Sequence, residues 1–294
     1  MSEITEPLQF EFFRHALIAA TMVGALTGMV GVFVVLRRMS YIGHGMSHSV
    51  FGGAVVGYVA GINFYLAAGL WGFLSALLIN QVTRKRQIGA DAAIGIVTTA
   101  SFAVGVALIS RATSVTRNFD AALFGNLLGV LTSDLWAIAA VLAASVALVF
   151  FFYKQLLFVS FDPEVAPIYG VRAGLLDTIL ALVLAATIIV SIRIMGVTLI
   201  AASLVIPPVI SRLLTDRFAP MLLASSAIGA ATGFAGMFLS YYFDVASGAS
   251  IVLLSAAIFG VVLVGVVVRQ SVAARRPALA LGNIGPTDPQ SLFD

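Results

Sequence analysis

Long, nearly uncharged apolar runs recur along the chain, and short segments that carry most of the charged residues separate them. Each run has about 20 residues, enough for an α-helix to cross a hydrocarbon core about 30 Å thick. The runs are continuous and do not alternate with a period of two, which argues against a membrane β-barrel. The pattern predicts nine spans, at residues 15–36, 46–62, 64–82, 91–110, 134–153, 173–194, 197–214, 220–243 and 249–268.

Composition agrees with an all-α, polytopic membrane bundle of 8–9 transmembrane helices. The 294 residues are 61% hydrophobic and 10% charged, with a mean hydropathy of +1.08, whereas about a quarter of the residues of a soluble domain are charged. Cysteine is absent, which excludes disulfides and thiolate metal ligands. The basic residues lie at helix ends, so we expect a lipid environment and no nucleic-acid partner.

The distribution of lysine and arginine indicates the orientation, because basic residues are retained on the cytoplasmic side. With the N-terminus outside, the inner side holds twelve of the sixteen basic residues and the outer side holds four. The inner twelve are Arg37, Arg38, Arg84, Lys85, Arg86, Lys154, Arg172, Arg212, Arg217, Arg269, Arg275 and Arg276. We therefore predict an extracytoplasmic segment 1–13, a transmembrane domain 14–268 with a cytoplasmic loop 155–172, and a disordered cytoplasmic tail 269–294.

Two of the three histidines, His44 and His48, are four residues apart in a glycine-rich segment. A helix places such residues on one face, within reach of one ion. Neutral imidazole suits zinc, and also copper, nickel and iron. Two ligands are too few for a structural zinc site, which needs four, but they suit an ion in transit. The alternative is a pair of interfacial histidines bonded to backbone or water.

Three further features have both a transport and a structural interpretation. Pro207 and Pro208 are expected to break the seventh span, either lining a pathway or forming a packing kink. Asp244 ends the eighth span, where it either faces an entry vestibule or is simply exposed. Asp91 and Asp177 begin spans, and we assign them to favourable positions at helix N-termini.

Small residues recur every four positions in two spans, at Gly24 and Gly28 and at Gly229 and Gly233. Such patterns permit close helix packing. We expect this packing to occur inside one bundle and not between two copies of the chain.

The loop 155–172 contains Asp162, Glu164, Ala166 and Gly170 around a short apolar stretch. It is consistent with a docking helix for a cytoplasmic partner and equally with a solvated connection. The chain lacks a G-x-x-x-x-G-K-[ST] loop, because neither of its lysines follows a glycine. We therefore expect a transport subunit, not an enzyme, that binds no cofactor of its own.

In combination these segments resemble one family, the membrane permease of metal-type ATP-binding-cassette importers, over about residues 13–268. The similar segments are the first span with "YIGHGMSHSVFGG", then "GADAAIGI", "FDPEVAPIYGV", "GVTLIAASLVIPP" and "SYYFDVASGASIVLLSAAIFG". The resemblance implies a multi-pass protein of the bacterial plasma membrane that imports zinc, manganese or iron. The family usually has aspartate followed four residues later by histidine at its ion contact. Here His48 matches that histidine and His44 occupies the aspartate position.

The resemblance also implies partners. A separate ATPase would dock on Asp162, Glu164, Ala166 and Gly170, an extracytoplasmic metal-binding protein would deliver the ion, and two permease copies would form a homodimer. Replacing a carboxylate by imidazole weakens manganese relative to zinc, so we expect Zn²⁺, with Mn²⁺ or Fe²⁺ as alternatives. The competing hypotheses are an ion-coupled secondary transporter of a metal or small solute and a membrane-embedded enzyme.

Overall fold

The architecture is a bundle of long α-helices. A computed structural model of the chain describes residues 6–84, 89–111, 129–162 and 165–274. Within those ranges the α-helices are α1 (Glu11–Leu36), α2 (Ser40–Val59), α3 (Phe64–Arg84), α4 (Ala90–Arg111), α5 (Thr132–Phe161), α6 (Ala173–Leu214), α7 (Phe218–Phe243) and α8 (Ser247–Ala274). Two short 3-10 helices, Pro7–Gln9 and Ala166–Tyr169, complete the described elements.

The predicted fold class is confirmed. In the described ranges every regular element is helical, and eight segments are long and apolar enough to cross a membrane, α6 supplying two of them. The remaining helix, α2, has 20 residues and falls outside that set. It is the predicted second span, but it begins six residues earlier than the predicted residue 46. His44, which lies before the predicted span, is therefore inside the same helix as His48.

The centre of the bundle is formed by α1 and α6. In the most apolar 18-residue stretch of α1, 78% of the residues are buried inside the protein. The corresponding share is 56% and 61% for the two halves of α6, and only 11% for α8. The α6 helix packs on α1, α2, α3, α5, α7 and α8. By contrast, among the described helices α4 packs substantially on α2 and α3 alone.

Glycine determines how closely α1 and α7 approach each other. A β-carbon at Gly24 would lie 2.0 Å from the carbonyl oxygen of Gly229, and one at Gly233 would lie 2.3 Å from that of Ala20. The Ser225 hydroxyl donates to the Gly28 carbonyl at 2.6 Å across the same contact. The expectation that these glycines pack inside one bundle is thus confirmed.

The helical backbone is interrupted at Gly196, between the predicted sixth and seventh spans, and not at the prolines within the seventh span. Gly196 has φ 74° and ψ 163°, a conformation that L side chains rarely adopt. A straight 42-residue helix would be about 63 Å long, whereas the break divides α6 into two spans, Ala173–Ile192 and Ile194–Leu214. The Ser247 hydroxyl donates to the Ile194 carbonyl at 3.4 Å, satisfying one acceptor beside the break.

The prediction that Pro207 and Pro208 break the helix is wrong, because α6 continues through both to Leu214. Pro208 has no N–H to donate to the Leu204 carbonyl, so that oxygen is free of its usual helical partner. The oxygen faces α1 instead, where a β-carbon at Gly31 would lie 2.0 Å from it. The proline pair is accommodated because glycine on the neighbouring helix lets the backbones approach.

Two predicted boundaries also need correction. The α5 helix bends at Phe152, next to the predicted end of the fifth span, but continues to Phe161, so the first part of loop 155–172 is helical. The α8 helix likewise continues to Ala274, into the predicted tail. The rest of the tail, residues 275–294, lies outside the described residues, as do residues 1–5 of the N-terminal segment.

The α1–α7 contact generates a stability prediction. Gly229→Ala places a methyl group 2.0 Å from the Gly24 carbonyl oxygen, and the helices must separate to relieve the overlap. We expect a loss of about 1–3 kcal/mol, typical of overpacking. The control is Gly260→Ala on α8, where nothing lies within 4 Å of the added carbon. Thermal unfolding of both variants in one detergent tests this, and equal melting temperatures would contradict it.

Candidate functional site

The two histidine rings meet on one face of α2. The Nε2 atoms of His44 and His48 are 3.2 Å apart, and the ring planes are nearly perpendicular at 84°. His44 is exposed, while His48 is partly buried with its ring edge-on to Phe102, 4.8 Å between centroids. The sequence therefore predicted correctly that these side chains share a face and approach each other.

The separation suits a shared metal ion. At a metal–nitrogen bond of about 2.0–2.1 Å and a tetrahedral angle, two bound nitrogens lie about 3.3 Å apart. The observed 3.2 Å is close to that value. Without an ion, one ring must donate to the other, because neutral imidazole has one donor and one acceptor nitrogen. The pair is thus positioned to exchange a hydrogen bond for an ion without a change in the α2 backbone.

The histidines line a cavity of about 510 Å³ between α2 and α4. Besides the two rings, its walls carry a carboxylate, two threonines and an aromatic ring, and the complete lining is His44, Gly45, His48, Asp91, Ile94, Gly95, Thr98, Thr99 and Phe102. Its polar groups are the types that contact cations and their water. Asp91 was not predicted to lie here and had been assigned to a helix N-terminus. The sequence feature that could have indicated this position is the segment "GADAAIGI", which contains Asp91. That segment reaches the histidines through the packing of α2 on α4, which the sequence does not reveal.

Glycines on α2 determine the position of α4. A β-carbon at Gly45 would lie 2.6 Å from Cγ2 of Ile94, and one at Gly52 would lie 2.3 Å from the Ser101 carbonyl oxygen. Residue numbers rise together along both helices, so α2 and α4 run parallel with their N-terminal ends at the same end of the cavity. A glycine-rich α2 is therefore required to bring the polar face of α4 to the histidines.

The cavity supplies an incomplete metal shell. In the described part of the chain, no group of three or more histidine, cysteine, aspartate or glutamate side chains is close enough to hold one ion. Two imidazoles leave further coordination positions to water or to another chain. Such a shell favours transient binding over a permanent structural site.

A second polar cluster joins the end of α1 to α5 and α6. Arg37 Nη1 lies 2.5 Å from Asp177 Oδ1, and Arg37 Nε lies 3.5 Å from the Ser160 hydroxyl. Asp177 was assigned to a helix N-terminus, and this cross-helix ion pair was missed because its partner is 140 residues away. The ion pair borders a largely apolar cavity of about 310 Å³.

The predicted docking loop is a tight structure between α5 and α6. The Asp162 side chain accepts a hydrogen bond from the Val165 N–H at 3.2 Å, and Ala166 is fully buried. Gly170 has φ 77° and ends the 3-10 helix. Glu164, the remaining predicted docking residue, lies outside the described residues.

The exposed surface of this loop is apolar. Ile168 is 81% exposed and Tyr169 is 72% exposed, although the Tyr169 ring also contacts Phe158. These side chains project from the 3-10 helix Ala166–Tyr169. The expected docking helix is therefore a single short turn with two large side chains facing outwards.

The remaining pathway candidates do not join the cavity. Pro207 and Pro208 are buried, and Pro208 lies next to Gly31 of α1. Asp244 is exposed and ends α7 in a left-handed conformation with φ 51°. The structure thus unites the two histidines with Asp91, and it leaves the prolines and Asp244 elsewhere in the bundle.

Comparison with known proteins gives consistent matches over most of the chain. A family model described as the ABC 3 transport family matches residues 9–266. The chain is 38% identical over 252 residues to the manganese transport system membrane protein MntC of Listeria monocytogenes, covering 86% of this chain and 90% of that protein. It is also 38% identical over 250 residues to the manganese import system permease protein ScaB of Streptococcus gordonii, covering 85% and 90%.

A solved structure, PsaBC from Streptococcus pneumoniae in complex with Fab, contains a chain with the same fold. The TM-score is 0.80 at 34% sequence identity, and the match covers 89% of this chain and 94% of that chain. The sequence and fold comparisons therefore agree across the helices that carry the cavity.

The Arg37–Asp177 pair generates a prediction about stability. Asp177→Asn removes the countercharge of an arginine whose side chain is 11% exposed. We expect a loss of about 1–3 kcal/mol, because a buried polar group that loses its partner retains its desolvation penalty. Asp216→Asn, on the exposed turn after α6, is the matched control. The melting temperatures of the two single variants are compared by thermal unfolding. The double variant Arg37→Leu/Asp177→Leu should recover part of the stability lost in Asp177→Asn, because it removes both charges. Identical melting of the two single variants would contradict the prediction.

Proposed function

The chain belongs to the ABC 3 transport family and is a permease subunit of a metal-type ATP-binding-cassette importer, and on this premise we propose that His44 and His48 hold the ion in transit. The observation that carries the proposal is the 3.2 Å separation of the two Nε2 atoms on the wall of a cavity that also holds Asp91, Thr98 and Thr99. Neutral imidazoles release a bound divalent ion more readily when only two of them share it. The pair would therefore act as a stepping point within the bacterial plasma membrane.

The first candidate for the ion is Mn²⁺, because the relatives with 38% identity are named for manganese transport or import. Zn²⁺, expected from the paired imidazoles, is the second candidate. Imidazole suits zinc better, whereas carboxylate and water suit manganese. The relatives' names give more support to manganese, and His44 is the residue that argues for zinc.

A separate ATPase would supply the energy by pressing on the loop between α5 and α6. Two features of the loop support this role. Ile168 and Tyr169 present apolar surface outwards, and Ala166 is buried beneath them, so a force on the turn reaches the bundle. The family assignment also favours an ATP-driven importer over an ion-coupled secondary transporter.

The other two partners would be an extracytoplasmic metal-binding protein and a second permease copy. The outer side of α4 supports the second, since large apolar side chains such as Ile96, 63% exposed, face away from the bundle there. His44 is exposed beside that surface. A homodimer that covers this side would add ligands to the incomplete shell.

Substituting the histidines tests the proposed ion contact. His48→Ala should nearly abolish uptake, because one imidazole cannot hold the ion against water. His44→Asp adds a carboxylate, so it should preserve uptake and shift preference towards manganese. The control is His15→Ala on α1, a histidine outside the cavity.

The measurement is uptake of Mn²⁺ and Zn²⁺ by proteoliposomes that contain the permease, its ATPase and the metal-binding protein. Wild-type uptake by His44→Ala/His48→Ala, at equal protein levels, would show that both histidines are structural. A preference of the wild-type protein for Zn²⁺ would reverse the order of the two candidate ions.

Gly170 tests the docking loop separately. Its φ of 77° is unfavourable for a β-branched residue, although nothing lies within 4 Å of an added β-carbon. Gly170→Val should therefore distort the turn and uncouple ATP hydrolysis from uptake while the bundle stays folded. Gly170→Asn is the control, because asparagine tolerates the left-handed conformation. Normal metal-stimulated ATPase activity in Gly170→Val would remove the loop from the coupling mechanism.

A further inference from the structure

The cavity extends beyond the histidine pair along one face of α4. Asp91, Gly95, Thr98 and Phe102 all line it, and their spacing of four, three and four residues keeps them on one side of a helix. From Asp91 to Phe102 this face rises about 16 Å. The polar side chains on it, from Asp91 to Thr99, span about 12 Å of that rise, which is longer than one ion site.

The parallel packing of α2 and α4 sets the order of groups along the wall. The ring of Phe102 contacts His48 at one end. One helical turn away, the residue after His44 lies against Ile94 and Thr98. Asp91 is about one turn beyond Ile94, at the N-terminal end of α4. The side chains that could bind a metal ion therefore follow one another as His48, His44 and Asp91.

We propose that Asp91 is a second cation contact, which takes the ion from the histidine pair and holds it at the N-terminal end of α4 before release. The inference rests on the proposed role of His44 and His48. It adds a residue to the path that family membership does not assign. The predicted orientation puts this end of the cavity on the cytoplasmic side.

Electrostatics explains why a carboxylate is needed at this position. The N-terminus of a helix carries about half a positive charge, which disfavours a nearby cation. The start of α4 forms the end of the cavity, so without an anion the ion would meet a repulsive barrier there. Asp91, in the first turn of α4, reverses the sign of that local field.

The side chains between the two contacts would ease the transfer. The Thr98 hydroxyl donates to the Ile94 carbonyl at 2.7 Å, so its oxygen lone pairs remain available to the cavity. Thr99 is exposed on the same wall. Asp91 itself is exposed, so water competes for the ion there. An ion that leaves the imidazoles thus passes to a wetter, oxygen-lined site from which it dissociates easily.

Charge removal at Asp91 is the first test. In proteoliposomes with all transporter components, Asp91→Asn should lower the maximal uptake rate of Mn²⁺ and Zn²⁺ by roughly tenfold, within the range usual for groups that support metal sites. Equilibrium binding of either ion to the permease should change little, because His44 and His48 remain. Asp91→Glu should retain most of the rate, and Asp216→Asn, outside the cavity, should match wild type.

A thiol at the same position tests contact with the ion directly, because the chain contains no cysteine. In Asp91→Cys, Zn²⁺ should slow modification of the single thiol by a water-soluble maleimide, and Asp216→Cys should show no such protection. Wild-type uptake by Asp91→Asn would overturn the inference. So would reduced uptake that merely follows a lower melting temperature, with no protection of the thiol. If His48→Ala loses uptake while Asp91→Asn gives either of these two results, the proposed role of the histidines holds and only the role of Asp91 is rejected.

Discussion

The close approach of helix backbones at glycine is the constraint on which the rest of this structure depends. In a bilayer no hydrophobic force draws helices together, because lipid tails are as apolar as the side chains, so association relies on packing and interhelical hydrogen bonds. The α1–α7 contact at Gly24 and Gly229 anchors the centre of the bundle. The α2–α4 contact at Gly45 and Gly52 holds together the two helices that line the cavity. Larger residues at those positions would separate the histidines from the carboxylate and threonines opposite.

The same constraint determines where irregular backbone is tolerated. Each polar backbone group in hydrocarbon needs a partner within the protein. Beside Gly196, the Ser247 hydroxyl is that partner, because it donates a hydrogen bond to the Ile194 carbonyl. At Pro208 it places the free Leu204 carbonyl against Gly31, where only hydrogen atoms separate the two backbones. Both irregular sites lie in α6, the helix with the most neighbours, because a helix surrounded by protein is the one that can be interrupted safely.

Local pattern was sufficient for the features of this protein that depend on short-range geometry. Apolar runs predicted the helices, and a four-residue spacing predicted that His44 and His48 would meet. The boundary predicted between residues 194 and 197 coincides with the break at Gly196. The additional break expected at the prolines was wrong, since proline weakens a helix in isolation but the Gly31 contact accommodates it here. Asp91 and Asp177 were also missed as cavity and ion-pair residues. Their partners belong to other helices, and no spacing within one segment reports such contacts.

The missed ion pair also shows how the predicted docking loop and the histidine-lined cavity are physically connected. Arg37 contacts Ser160, near the end of α5, and Asp177, near the start of α6. Only the tight turn 37–39 separates Arg37 from α2, and Arg38 within that turn is left-handed with φ 55°. While the ion pair is intact, a movement of the loop is therefore transmitted to the start of α2. Since His44 lies seven residues after Arg37, the Arg37–Asp177 ion pair links the surface proposed to dock the ATPase to the histidines proposed to contact the ion.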